Sequence, residues 1–202
     1  MKFSRFFSII QETPWYREFL NPIINEISNN SKLLDIGTGT GKLIQILSIE
    51  KKIECIGIDT NTEMLSEAQN KLKETNVKLF LIKANTELPF DNNTFDYITI
   101  CNVLFLLKKD SIDYILNEAQ RILKKEGKII ILTPSGNGNF ISLTKYFFSI
   151  KNLSIYIWFY ATRISADSWS KNKYLEQYTI KKKLKYKREI IMNGFAQVEV
   201  IH

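Results

Sequence analysis

The sequence predicts an α/β fold, a doubly wound, seven-stranded and mostly parallel sheet whose final strand runs antiparallel. Three observations carry that reading. From Leu33 onward, apolar runs of strand length alternate with segments of helical spacing, the pattern of parallel strands joined by right-handed crossovers with helices on both faces. The first strand, Leu33-Leu34-Asp35-Ile36, runs into Gly37-Thr38-Gly39-Thr40-Gly41-Lys42, where the missing Cβ atoms let the backbone turn tightly and come close to a ligand. A second acid, Asp59, ends the second apolar strand over 53–58, at about the 20-residue separation that sets a carboxylate on a ribose in Rossmann-like sheets. The chain is built around a ribose-containing cofactor.

The elements follow in order. Thr13-Pro14 reads as an N-cap with proline at the first helical position, and Tyr16, Phe19, Leu20, Ile23, Ile24 and Ile27 then share one helical face. Helices are expected from Gly41 through 47, over 62–72 with Met64, Leu65 and Ala68 inward, and over 111–123; strands are expected at 77–83, 95–101 and 128–133. Near the end, 184–192 and 195–201 flank Asn193-Gly194, the strongest two-residue hairpin signal, which makes the last strand antiparallel. A helix over 181–192 is the alternative and would leave the sheet one strand short.

The segment from 134 to 182 differs from the rest. Phe140, Leu143, Thr144, Phe147 and Phe148 have helical spacing, and 153–161 is dense with aromatics, yet the run falls short of the roughly 20 apolar residues that span a bilayer. An insertion after the fifth strand lies at the carboxyl-end crevice where open sheets bind ligands. It reads as a helical, apolar-lined lid; thickening of the core and shallow membrane contact are the other readings. With no repeats or low-complexity linkers, the whole of 1–202 reads as one domain, with a helical cap over 1–30.

At 202 residues, 45% hydrophobic and 24% charged, the composition is that of an ordinary soluble globular protein. Cys55 and Cys101 both fall in apolar strand patterns without metal-ligand spacing, so they read as buried reduced thiols and suggest a cytoplasmic setting. The opening Met1-Lys2-Phe3-Ser4-Arg5-Phe6-Phe7 imitates a signal peptide, but Gln11 and Glu12 interrupt the apolar run, and no export signal is read. Much of the net charge of +7 lies in 181–188. Lys183, Lys185 and Lys187 alternate with Leu184 and Tyr186, as in an edge strand that uses lysine to block sheet-to-sheet association. No nucleic acid is expected as a partner, although a basic surface for nucleic acid or anionic lipid is the alternative. Oligomeric state leaves no mark on the sequence.

The glycine spacing decides which cofactor. Dinucleotide sites use Gly-x-Gly-x-x-Gly; here the third glycine is Gly41, position 42 is Lys, and Asp35 stands two residues before Gly37. That pattern resembles the first motif of the class I S-adenosylmethionine-dependent methyltransferases. The resemblance continues through Leu88-Pro89-Phe90 before the fourth strand, Asn102-Val103-Leu104 after it, and the stretch 121–132 into the fifth strand, covering roughly 30–135. It implies S-adenosylmethionine as cofactor, with Gly37, Thr38, Gly39 and Gly41 forming the floor under its methionine end and Asp35 orienting the ammonium. Asp59 would then hold the ribose hydroxyls, Thr60 and Met64 flank the adenine, and Asn102 lie beneath the methionine portion. For Asp35, Asp59 and Met64 the other readings are a loop tie, a helix N-cap and core packing. Where the family has an acid for the adenine amino group, this chain has Ala84-Asn85, so Asn85 is the substitute.

The resemblance also implies that the N-terminal element covers the cofactor, with Trp15, Tyr16 and Arg17 as its candidates. Phe105 and Leu106 stand where the family often has histidine, and the sole histidine is His202, so no catalytic base is assigned. Tyr16, Phe105 and Tyr160 are the substrate candidates, with Tyr156 as a further aromatic. Scattered carboxylates give no metal site. The expected activity is methyl transfer to a small lipophilic or aromatic acceptor by in-line displacement, which alignment in a dry pocket can promote. An RNA or protein methyltransferase and an inactive cofactor-binding scaffold are the alternatives.

Overall fold

A computed structural model describes residues 3–202; Met1 and Lys2 of the charged opening lie outside the described residues. Seven strands form a single sheet: β1 (Lys32–Ile36), β2 (Glu54–Asp59), β3 (Lys78–Leu81), β4 (Phe95–Cys101), β5 (Leu123–Pro134), β6 (Tyr186–Ile191) and β7 (Ala196–Ile201), in the order β3-β2-β1-β4-β5-β7-β6. β1 to β5 pair in parallel, and β7 runs antiparallel to both β5 and β6. The helices are α1 (Phe3–Ile10), α2 (Pro14–Glu26), α3 (Lys42–Glu50), α4 (Thr62–Leu72), α5 (Lys109–Ile122), α6 (Phe140–Phe147), α7 (Ser154–Asn172) and α8 (Tyr174–Lys182).

The central strands are apolar at nearly every position because both faces are covered. Side chains alternate between two cores: Leu33, Ile130 and Leu132 pack with α2 and α3 on one face, while Leu34, Ile129 and Ile131 pack with α5 on the other. α7 belongs to both, giving Ile155, Trp158 and Phe159 to the first core and Ala166 and Trp169 to the second. It therefore passes over the rim of the sheet instead of lying on one face.

The aromatic opening forms the helix α1, inside the stretch expected as a helical cap over 1–30. Two local expectations change. The last hairpin is not a two-residue turn: Ile191 pairs with Ala196, and the link runs through Met192, Asn193 and Gly194, all at positive φ (51°, 52° and 97°). The lysine run is split, since Lys181 and Lys182 end α8 and Lys183 turns into the left-handed region before β6 begins at Tyr186. β6 is indeed the edge strand, and the helical alternative over 181–192 does not hold. Among the described residues no helix is long and apolar enough to cross a membrane.

Candidate cofactor site

β1 and β2 end side by side, Ile36 opposite Ile58, and the bend that follows β1 is tied to the end of β2. The amides of Gly37 and Thr38 both donate to the Ile58 carbonyl at 2.8 and 3.0 Å, and the Gly39 amide donates to Asp59 Oδ2 at 2.8 Å. With those N–H groups engaged, carbonyl oxygen is what the bend offers a cationic ammonium. A Cβ built on Gly37 would lie 2.4 Å from Val103 Cγ2, so only glycine lets the bend approach the end of β4. Asp59 Oδ1 accepts from the Asn61 amide at 2.9 Å, and Asn61, not Asp59, caps α4 by accepting from the Glu63 and Met64 amides.

A cavity of about 540 Å³ opens at these strand ends. Gly37, Gly39, Asp59, Thr60, Met64 and Asn85 line one part of it. Asn102, Phe105, Leu106, Ile115, Ile157 and Trp158 line another, and Phe6, Phe7 and Ile10 of α1 close it from above. Asn102 has a left-handed backbone (φ 58°), and neither atom of its buried side-chain amide has a hydrogen-bond partner. A buried amide left open in this way calls for a ligand.

Asp35 is buried beneath the bend, 3% exposed, and accepts from Thr99 Oγ1 at 2.7 Å. Burial raises its pKa to about 6; the Thr99 and Thr38 hydroxyls oppose that rise and the Asp59 charge adds to it. Cys55 and Cys101 are free, and burial raises both thiols, that of Cys55 to about 12.

Residues 33–127 match the family described as methyltransferase domain. The segment is a class I S-adenosylmethionine-dependent methyltransferase domain. The chain is 30% identical over 131 residues to a demethylmenaquinone methyltransferase of Thermotoga maritima, covering 64% of this chain and 54% of that one. It is 36% identical over 126 residues to a ubiquinone/menaquinone biosynthesis C-methyltransferase of Rickettsia typhi, covering 58% and 49%. The chain thus spans about half the length of the curated relatives it matches. In fold it is similar to a SAM-dependent methyltransferase from Aquifex aeolicus, with a TM-score of 0.68 at 19% identity over 96% of each chain.

S-adenosylmethionine is the cofactor of this methyltransferase domain, and the donor set fits it. Asp59 stands at the end of β2, the unpaired Asn102 amide stands just after β4, and the glycine bend held to Ile58 and Asp59 lines the same cavity. Of the residues singled out in the sequence, Gly37, Gly39, Asp59, Thr60, Met64, Asn85, Asn102 and Phe105 line the cavity. Five others do not. Asp35 and Thr38 lie behind the bend, and Gly41 packs α3 against α4, where a Cβ would meet Leu72 at 2.8 Å. Tyr16 is a core residue, 4% exposed, whose hydroxyl accepts from Gln11 Nε2 at 3.1 Å and whose pKa burial drives upward. Tyr160 is 56% exposed and outside the cavity, because α7 turns Trp158 inward and reaches the cavity on its outer side with Ile157.

The other N-terminal candidates also serve structure. Trp15 donates to Ser154 Oγ at 2.8 Å and lies 5.2 Å from the Trp158 ring, bracing the cavity wall from behind. Arg17 pairs with Glu50 on the surface at 2.7 and 2.8 Å.

Two sets of contributors were not named in the sequence reading. Phe6, Phe7 and Ile10 of the expected helical cap line the cavity, and their helical spacing was the available signal for a common inner face. Arg121 and Glu118, three apart on α5, anchor the loop before β4: Arg121 donates to the Phe90 and Leu88 carbonyls at 2.8 and 3.0 Å, and Glu118 accepts from the Leu88 amide at 2.8 Å.

Proposed function

We propose that this chain transfers the methyl group of S-adenosylmethionine to a small, apolar, ring-bearing acceptor in a cytoplasmic setting. One observation carries the acceptor class: beside Asn102 the cavity wall is built from Phe105, Leu106, Ile115, Ile157 and Trp158, side chains that hold a hydrocarbon ring and exclude water. The relatives are named for methylating quinone precursors, and a hydroquinone-like ring is an acceptor of that kind.

When bound, S-adenosylmethionine supplies an electrophilic methyl carbon on a sulfonium. Asp59 would take the ribose hydroxyls, the Gly37–Gly39 bend and Asn102 the methionine end, and Thr60, Met64 and Asn85 the adenine side. The substrate side falls to Phe105 and its apolar neighbours, with α1 and α7 as cap and lid. No histidine lines the cavity among the described residues. Alignment in an apolar pocket is the contribution assigned to the chain, and such positioning supplies a large part of the acceleration of a displacement.

The test is methyl-labelled S-adenosylmethionine incubated with the protein and, separately, a short-chain hydroquinone, bulk RNA and a peptide mixture. Label is expected in the hydroquinone extract. Label in RNA or peptide, or in none of the three, counts against the reading.

A further inference from the structure

The first turns of α7 are apolar on both of their sides. Ile155, Trp158, Phe159, Ala166 and Trp169 face inward and are buried. On the outward side, Leu153, Ile157, Tyr160 and Ile164 follow at intervals of four, three and four residues, which places them in one stripe. They are 55%, 52%, 56% and 85% exposed. A helix apolar all round is ordinarily buried all round, so this stripe lacks a covering partner. It widens through α6, where the Phe140 ring lies 5.4 Å from Tyr156 and where Ile141 and Phe148 are 80% and 79% exposed. The stripe also reaches the cavity, because Ile157 belongs to both and Leu106, 63% exposed, lines the same cavity.

Charge identifies the occupant. From 127 to 166 the chain carries Lys128, Lys145, Lys151 and Arg163 and not one aspartate or glutamate, although the whole sequence has 21 acids. Lys145, Lys151 and Arg163 take part in no ion pair among the described residues; Lys145 lies over the Tyr146 ring at 5.7 Å and Arg163 over the Phe159 ring at 5.5 Å. An apolar face whose own segment carries unpaired cations at its margin and no acid as far as 166 matches an anionic lipid surface, where basic side chains meet headgroups and apolar ones enter the acyl boundary. A second copy of the chain would set cations against cations.

We propose that the outer face of α6 and α7 docks on an anionic bilayer, with the mouth of the cavity at the membrane. The contact is peripheral, since α7 is not apolar enough to cross. This goes beyond the proposed methyl transfer and does not require it: docking is measured without any methyl donor, and transfer is measured on a soluble acceptor.

The experiment is sedimentation of the full chain with vesicles of phosphatidylcholine alone and of phosphatidylcholine with phosphatidylglycerol. We expect binding to the anionic vesicles that weakens with added salt and is roughly tenfold weaker on neutral ones. The double variant Leu153→Ser/Ile164→Ser alters two exposed side chains outside the cavity, and it should lower vesicle affinity by roughly tenfold while methyl transfer to a soluble acceptor stays unchanged. Absent binding to anionic vesicles, or binding that the double variant leaves intact, overturns the proposal. A dimer of the unaltered chain that the variant turns into monomer also overturns it, in favour of a second copy as the occupant.

Discussion

The Gly39 amide donates to Asp59 Oδ2 at 2.8 Å, so the acid at the end of β2 and the bend after β1 form one unit. Asp59 fixes the bend and is the acid proposed for the ribose hydroxyls. Asp59→Ala removes a charged acceptor worth roughly 1.5 to 3 kcal/mol per hydrogen bond. The expected result is a loss of S-adenosylmethionine affinity of about tenfold or more by calorimetry. Unchanged affinity would place the cofactor elsewhere.

Asp35 gives a pH dependence. Its folded pKa of about 6 lies above the ordinary 3.8, so between those values the folded state holds a proton that the unfolded state has released. Stability from this group therefore falls as pH rises from about 4 to 6 and stays low above it. Asp35→Asn should be more stable than the unaltered protein at pH 7, by about 1 to 3 kcal/mol, with the gain vanishing below pH 4. A cationic ammonium favours ionised Asp35, so S-adenosylmethionine affinity should rise with pH through about 6 in the unaltered chain and stay flat in the variant. Urea melts and calorimetry across pH 4 to 8 read both effects.

The sheet was legible because each central strand is buried on both faces, and its residues are accordingly apolar without interruption, as in Ile129-Ile130-Ile131-Leu132. The bend and Asp59 were legible because glycine and a strand-end acid are rare enough together to carry meaning. Periodicity fails where a helix is apolar all round. On α7 nothing in the spacing separates Trp158, which lines the cavity, from Tyr160, which points to solvent. Tyr16 misled for a related reason, since a buried aromatic in the core and one facing a ligand share the same pattern. In sequence Glu118 and Arg121 are indistinguishable from an ordinary surface pair three residues apart, and their reach to Leu88 and Phe90 depends on contacts across 30 residues or more.

Glu12, just after α1, joins the cap to the floor. It pairs with Lys71 at 3.0 Å and with Lys42, while its neighbour Gln11 accepts from Thr40 in the bend. Burial pushes the Glu12 pKa up, but the hydrogen bonds from Lys42 and Lys71 outweigh it and hold the pKa below 4.5. The stabilisation is thus present above that value and lost as pH falls through the lowered one. Half-exposed ion pairs are screened and individually weak. Glu12→Gln should therefore weaken S-adenosylmethionine binding only by about two- to fivefold, and added salt should bring the unaltered chain towards the variant in a titration series.

Gly41 and Gly194 separate two costs of adding a methyl group. Both have positive φ, 80° and 97°, so alanine at either site carries backbone strain of about 1 to 2 kcal/mol. Their surroundings differ. A Cβ at Gly41 would meet Leu72 Cδ1 at 2.8 Å and Ala68 Cβ at 3.3 Å, both buried where α4 packs on α3, whereas nothing lies within 4 Å of one at Gly194. Overpacking a filled core adds about 1 to 3 kcal/mol. Gly41→Ala should accordingly lose at least about 1 kcal/mol more than Gly194→Ala in urea melts. It should also weaken S-adenosylmethionine binding, because displacing α4 moves Met64 relative to the bend. Equal losses would mean that Leu72 swings aside freely and that the contact between α3 and α4 does not set the geometry of the cofactor floor.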